Sequence, residues 1–188
     1  SDDAWILKLS SIGVIEWQKT YGGYGIDSAR VIQQTADSGY IVTGCTESSG
    51  MGYADVWVLK LSSTGTIEWQ KTYGGYMNDS NLSNQSFIQQ TTDGGYIATA
   101  YTWSFGSGFS DFWVLKLSST GTIEWQKTYG AGNNYDTPCF IQQTTDGGYI
   151  VTGFTYSFGA GKNDLWLLKL NSDGSIAWQK TYGGSEYD

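Results

Sequence analysis

The chain carries one segment in four copies, and this repetition constrains its fold more than any other feature. The string LKLSSTGTIEWQKTYG occurs twice without a change, at 59–74 and 115–130, and looser copies begin at Leu7 and Leu168. Two series of tryptophans follow from the copies: Trp5, Trp57, Trp113 and Trp166, and Trp17, Trp69, Trp125 and Trp178. Both series advance by 52, 56 and 53 residues. This period indicates an array of similar units rather than unrelated domains.

Each unit contains four strand segments joined by glycine turns and longer links. In the middle unit, β-branched, aromatic and alternating apolar residues predict strands at 87–91, 96–102, 112–117 and 122–129. Asp-Gly-Gly joins the first pair and Ser-Thr-Gly the second pair, since glycine accepts the positive φ of tight turns. No segment has a helical period over three turns. The predicted fold class is all-β, a β-propeller-type array of four-stranded antiparallel blades.

The count of blades is incomplete. We predict a single array over 1–188, made of a lone hairpin and three blades, at 4–22, 28–75, 84–132 and 137–184. About three and a half blades do not close a ring of about four to eight, and a lone hairpin is only marginally stable.

Three interpretations of this mismatch stay open. The chain starts with Ser1, so it could be a trimmed part of a longer protein. Two or more chains could complete one another by strand pairing, or an open array could stack into a fibre. The candidate residues for strand pairing are Trp5, Leu7, Trp17 and Lys19.

The order of the segments resembles kelch-type blades: an apolar strand, an Asp-Gly-Gly turn, a Tyr-Ile-Val-Thr-Gly strand, an Asp-x-Trp strand and a Trp-bearing last strand. It resembles more closely the tandem repeats with an IQQTxDGGYIV core in secreted or surface proteins of archaea and bacteria. IQQTTDGGYI stands at 88–97 and 141–150. Unlike kelch repeats, the second strand ends in one glycine, Gly44 or Gly153, or in Ala100. The resemblance covers essentially the whole chain and implies a scaffold or binding face at the cell surface or outside the cell.

Composition excludes several classes of function. The net charge of −8 disfavours nucleic acid, which requires clustered Lys or Arg, and no apolar run is long enough to span a membrane. The chain has no histidine, which removes the Ser-His-Asp triad and Cys/His zinc sites. Cys45 and Cys139 lie about two repeats apart, so no disulfide is expected. We therefore predict no catalysis and no cofactor.

The aromatic residues are assigned two roles. The eight repeated tryptophans are expected to pack between blades. Trp103 has no counterpart in phase with the repeat, so it is the best candidate for an exposed contact residue. The candidate interaction residues in the links are Trp103, Phe105, Phe109, Tyr156 and Phe158.

The repeated polar residues have structural and functional interpretations. Neighbouring strand residues face opposite sides, so one of each glutamine pair should be buried, either fixing register between blades or lining a polar channel. These pairs are Gln33 and Gln34, Gln89 and Gln90, and Gln142 and Gln143. One aspartate opens the third strand of each copy, and we expect it to cap backbone N–H groups rather than to bind a cation. These residues are Asp3, Asp55, Asp111 and Asp164. The repeated lysines should bury their stems, with solvated heads that pair with Glu16, Glu68 and Glu124 or stay unpaired.

The sequence therefore favours a non-catalytic structural or interaction module, secreted or at the cell surface. Its expected partners are other protein chains, including copies of itself, in a homo-oligomer or polymer formed through the incomplete blade. The alternative is a glycan-binding, lectin-like propeller. An enzyme ranks third, because a glycosidase needs two converging carboxylates, which repeats alone do not reveal.

Overall fold

A computed structural model describes residues 2–80 and 86–186. The described chain holds fourteen strands and no helix, which confirms the all-β part of the prediction. They are β1 Ala4–Leu9, β2 Ile15–Tyr21, β3 Asp27–Gln34, β4 Tyr40–Thr46, β5 Asp55–Leu61, β6 Ile67–Tyr73, β7 Phe87–Gln90, β8 Tyr96–Thr102, β9 Asp111–Leu117, β10 Ile123–Tyr129, β11 Asp136–Gln143, β12 Tyr149–Thr155, β13 Asp164–Leu170 and β14 Ile176–Tyr182. The predicted start of the second blade, residue 84, lies outside the described residues. In the described ranges, no helix is long and apolar enough to cross a membrane.

The strands form four antiparallel sheets in chain order. The first sheet is β1–β2, and the second, third and fourth sheets are β3–β6, β7–β10 and β11–β14. Within each sheet, strands that are neighbours in sequence pair with each other, so each four-stranded sheet is a meander. In the third sheet the predicted bounds agree within one residue: β7 ends at Gln90, β9 begins at Asp111 and β10 begins at Ile123.

The tight turns form where the sequence places glycine after aspartate. Gly94 and Gly147 have φ of +82° and +80° in two equivalent turns. In the turn of the second sheet Ser38 takes this role with φ of +67°. The aspartate at each turn also accepts the N–H two residues later, as Asp93 does from Gly95 at 2.9 Å, which stabilises the bend.

The hydrophobic core lies between successive sheets. Each of the three core clusters joins one sheet to the next. The third-strand tryptophan of a sheet belongs to the cluster shared with the preceding sheet: Trp57, Trp113 and Trp166 are 4%, 2% and 1% exposed. Inner sheets therefore bury both faces, while the first and fourth sheets bury one.

The expectation that all eight repeated tryptophans are packed is wrong at the two ends. Trp5 is 61% exposed and Trp178 is 41% exposed. Both lie on faces against which the described chain places no further sheet. Identical strand patterns thus have different burial, because burial here depends on the neighbouring sheet.

Cys45 is buried and Cys139 is exposed, and both thiols are free, as the spacing predicted. Burial raises the pKa of the Cys45 thiol, which disfavours the reactive thiolate at neutral pH.

Candidate functional site

The first sheet has an edge that no described strand occupies. β1 pairs only with β2, whereas the equivalent strands β5, β9 and β13 pair on both sides. A groove of about 290 Å³ follows the open edge, between residues 5–7 of β1 and residues 29–32 of β3. An unpaired edge presents N–H and C=O groups at the spacing that another strand requires. The first sheet therefore has the geometry to accept a further strand.

The residues predicted for strand pairing divide between two surfaces. Trp5 and Leu7 line the groove along β1. Trp17 and Lys19 lie on β2 and contact the second sheet instead. The Trp17 indole N–H donates to the carbonyl of Ser63 at 3.0 Å, and the Lys19 ammonium donates to a threonine hydroxyl in the same turn at 3.3 Å.

Successive sheets are joined by a repeated contact between the last strand of one sheet and the last turn of the next sheet. Tyrosine hydroxyls donate to glycine carbonyls at 2.6 Å in all three junctions: Tyr21 to Gly65, Tyr73 to Gly121 and Tyr129 to Gly174. Burial raises the pKa of these three hydroxyls, so they remain donors at neutral pH. Tryptophan rings meet tyrosine rings edge-on across the same junctions, with centroids 5.8–5.9 Å apart: Trp17 on Tyr40, Trp69 on Tyr96 and Trp125 on Tyr149. Sequence reasoning missed these tyrosines, although each of them recurs with the repeat.

The second, third and fourth sheets are also joined by glutamine side chains. The backbone N–H of Gln90 donates to Oε1 of Gln33 at 3.0 Å, and that of Gln143 donates to Oε1 of Gln89 at 3.1 Å. Oε1 of Gln90 and of Gln143 each accept a further backbone N–H from the neighbouring sheet. These four side chains are half-buried, whereas Gln34 and Gln142 are exposed. The contacts support the register interpretation. The expectation that one glutamine of each pair is buried is wrong, because none of the six is fully buried.

The candidate link aromatics fall into two groups. Phe105 packs on the buried Trp113 and Phe158 packs on the buried Trp166, with ring centroids 5.2 and 4.8 Å apart, respectively. Shallow pockets of about 350 and 230 Å³ lie beside these two pairs.

The other link aromatics gather around Tyr135, a residue that sequence analysis did not select. Phe109 stacks on Tyr135 at 5.2 Å and Trp103 lies 6.5 Å from it. These three rings are 41–53% exposed. Tyr156 joins the same region, since its N–H donates to the Tyr135 carbonyl at 3.1 Å. We call Trp103, Phe109, Tyr135 and Tyr156 the aromatic patch.

The expectation of solvated lysine heads is wrong for the two middle repeats. The side chains of Lys60 and Lys116 are each 4% exposed. Lys116 pairs with Asp93 at 2.9 Å and with the predicted partner Glu124 at 3.0 Å. Because it lies under two carboxylates rather than in water, this lysine is held by charge as well as by its stem. The turn aspartates therefore bind lysine in addition to shaping the turn.

The Asp93 carboxylate makes a pH-dependent contribution to stability. Burial opposes its ionisation, but hydrogen bonds from Thr91 and Lys116 outweigh burial and lower its pKa to about 2. A lowered pKa means that the contribution is present above about pH 4 and lost as the pH falls towards about pH 2. We expect Asp93→Asn to cost less than about 1 kcal/mol at neutral pH, since the carboxylate is half exposed and screened. Urea unfolding of the wild type and the variant, at neutral pH and at about pH 2, measures the cost of the substitution. A cost that persists at about pH 2 contradicts the pH-dependent role of Asp93.

The aspartates that open the third strands cap the preceding link. Oδ2 of Asp55, Asp111 and Asp164 each accepts a backbone N–H from the residue four positions earlier, at 2.6–2.8 Å. The capping interpretation is thus confirmed for these three residues. Within the described residues, no group of three or more His, Cys, Asp or Glu side chains could hold a metal ion.

A second aspartate lies close to two of these caps. Oδ1 of Asp111 lies 1.8 Å, and Oδ2 of Asp136 2.8 Å, from the point where a Cβ on Gly130 would stand. The two oxygens are therefore no further apart than those distances together. Asp111 Oδ1 is buried without a hydrogen-bond partner in the described chain. Burial, and then the charge of Asp136, raise the pKa of Asp111.

We expect Asp111→Asn to raise the free energy of unfolding by about 1 kcal/mol at neutral pH, because its amide N–H can donate to Asp136 and remove an unsatisfied acceptor. The folded protein holds the Asp111 proton more tightly than the unfolded chain, so the wild type regains stability as the pH falls. The gain in the free energy of unfolding from Asp111→Asn should therefore shrink as the pH falls. The same substitution in an Asp136→Asn background is the control, because the neighbouring carboxylate is then neutral. Equal gains in both backgrounds, measured by urea unfolding, would count against a role for Asp136.

No family model and no curated protein matches the chain. Among solved structures, the chain is similar to a "putative exo-beta-1,3-galactanase" from Bifidobacterium bifidum s17, with 14% sequence identity and a TM-score of 0.47. The similarity covers 95% of this chain and 57% of that one, so the chain spans little more than half the length of that protein. A likeness this distant does not bear on activity.

Proposed function

We propose that the chain is a non-catalytic β-propeller-type module that binds protein partners and copies of itself through its incomplete first sheet. The radial arrangement is supported by two sets of contacts that recur between sheets. Glutamines join the first strands of the second, third and fourth sheets. Tyrosines join fourth strands to the following turn. Contacts that recur between successive four-stranded sheets support a blade arrangement.

The observation that carries the proposal is the open edge of β1. A groove of about 290 Å³ lies beside it, and Trp5, which lines the groove, is 61% exposed. An extended segment of another chain can add to such an edge through main-chain hydrogen bonds, with its side chains selected by the groove. Edges of this kind are also the usual route by which strands of separate chains pair.

A non-catalytic role is supported by the positions of the repeated charged residues. The aspartates of the third strands cap links, and the turn aspartates bind lysine. These groups are engaged in structural contacts. The proposed location, outside the cell or on its surface, rests on the resemblance to the IQQTxDGGYIV repeats and is tested by fractionation of the producing cells.

The mass of the purified chain in solution tests the proposal. Light scattering behind size exclusion should give a mass that rises above that of one chain as concentration increases, and electron microscopy should show rings, arcs or fibres. A single-chain mass at every concentration, together with no binding of a strand peptide to β1, would contradict it. The peptide should copy residues 149–155, since β12 occupies the equivalent position beside β13, with a scrambled peptide as control.

A glycan-binding role is the second candidate, and the aromatic patch favours it. Exposed aromatic rings with a polar rim are suited to the apolar faces of sugar rings. A glycan array followed by titration should show saturable binding that Phe109→Ala abolishes. Binding that persists in this variant, or no binding to any glycan, would remove the second candidate.

A further inference from the structure

The outer face of the fourth sheet carries side chains that are packed in every other sheet. Tyr182 is 51% exposed, whereas its counterparts Tyr21, Tyr73 and Tyr129 are 6–7% exposed. Trp178 and Leu165 are 41% and 40% exposed. We call Leu165, Trp178 and Tyr182 the trailing face. It presents the same groups that the first three sheets use to bind the next sheet.

The outer face of the first sheet carries the receiving half of the same contact. In the three later sheets the turn glycine lies under a tryptophan ring of the preceding sheet. A Cβ on Gly65, Gly121 or Gly174 would come within 3.0 Å of Trp17 and within 2.8 Å of Trp69 and Trp125, respectively. Gly13 has the same conformation, with φ of +80°, and nothing lies within 4 Å of its Cβ position. We call Trp5, Leu9 and Gly13 the leading face.

We propose that the trailing face of one chain binds the leading face of a second copy and so repeats the junction that the chain forms three times internally. Trp178 lies over Gly13 of the other copy, and the Tyr182 hydroxyl donates to the Gly13 carbonyl. Trp5 packs on Leu165, as Trp166 packs on Phe112 with centroids 4.8 Å apart. This inference rests on the proposed function and names the partner, a second copy, and the surface.

The contact differs from strand pairing at β1 in the surfaces that it joins, and from the internal junctions in its size. It joins two different surfaces, so it propagates from copy to copy into a ring or an open fibre. The first sheet lacks the two strands that supply Tyr40 and its equivalents, so the edge-on aromatic contact is missing. The contact is therefore smaller than an internal junction, and we expect micromolar rather than nanomolar affinity.

Two variants block one face each. Gly13→Asn fills the space over the turn, and asparagine tolerates positive φ. Its control is Gly147→Asn, which has the same φ of +80° and equally open surroundings away from both faces. Trp178→Ser removes the ring from the trailing face, and its control is Trp103→Ser, since both tryptophans are 41% exposed. Sedimentation velocity over a range of concentrations should show that each blocked variant needs at least about tenfold more protein to associate, while both controls match the wild type.

Mixing the two blocked variants identifies the contact. Gly13→Asn retains its trailing face and Trp178→Ser retains its leading face, so the mixture should form a complex of two chains and no larger species. Association of either blocked variant at wild-type concentration would overturn the inference and leave strand pairing at β1 as the mode of assembly. A wild type that stays a monomer overturns the inference as well, and the peptide experiment then decides whether the β1 edge still binds strands.

Discussion

Replacing Trp113 by alanine is expected to lower the free energy of unfolding by about 3–5 kcal/mol. Trp113 is 2% exposed and belongs to the cluster between the second and third sheets. Its indole N–H also donates to Oε1 of Gln126 at 3.2 Å. Truncation leaves a cavity that backbone strands on both sides are too constrained to fill, so the loss includes both the transfer free energy and the missing contacts.

Trp5→Ala is the matched control for Trp113→Ala, because it changes the same repeat position on an outer face. With 61% of Trp5 exposed, we expect a cost within about 0.5 kcal/mol. Urea unfolding followed by far-ultraviolet circular dichroism measures both variants. Similar costs at the two positions would contradict the conclusion that the neighbouring sheet decides the burial of these tryptophans.

The second large effect is expected at Gly44, where we predict that alanine costs about 2–3 kcal/mol. A Cβ on Gly44 would stand 1.7 Å from the carbonyl oxygen of Ser28 on β3. That atom belongs to the backbone of a paired strand, so the sheet itself must shift. The equivalent residue Gly153 meets the carbonyl of Thr137 at 2.2 Å in the same way.

The middle repeat supplies the control for Gly44→Ala, since Ala100 occupies the equivalent position. Among the described residues, pairing between β7 and β8 extends as far as Phe87 and Thr99, and Ala100 is 1% exposed in the core between the second and third sheets. Ala100→Gly should cost about 1–2 kcal/mol, which combines the conformational cost of glycine with the loss of one buried methyl group. Thermal unfolding of both variants is the measurement. A larger loss for Ala100→Gly than for Gly44→Ala would contradict the clash as the cause.

Much of the local structure could be predicted from the sequence because strand signals are local. Alternation of side chains and glycine turns placed β8 at Tyr96–Thr102 without error. The all-β class and the grouping of tight hairpins follow from the same signals.

The candidate sites were predicted less well, because their members come from different repeats. The sequence selected Trp103 and Phe109 but not Tyr135, which joins them only when two links of neighbouring sheets meet. It assigned Trp17 to strand pairing, although the ring faces the second sheet. The turn aspartate Asp93 and the strand lysine Lys116 were treated separately, and the fold brings them to 2.9 Å.

The strands, the turns and the number of repeats follow from local sequence, because they depend on side-chain alternation and on glycine within a few residues. Which copy of a repeated residue is buried, engaged or exposed depends instead on how the sheets pack together. Trp113 and Trp5 share a strand pattern and differ in burial, and Gly121 and Gly13 share a turn conformation and differ in their neighbours. The reason is physical: burial is a contact with another sheet, and a local sequence carries no record of which sheet lies beside it.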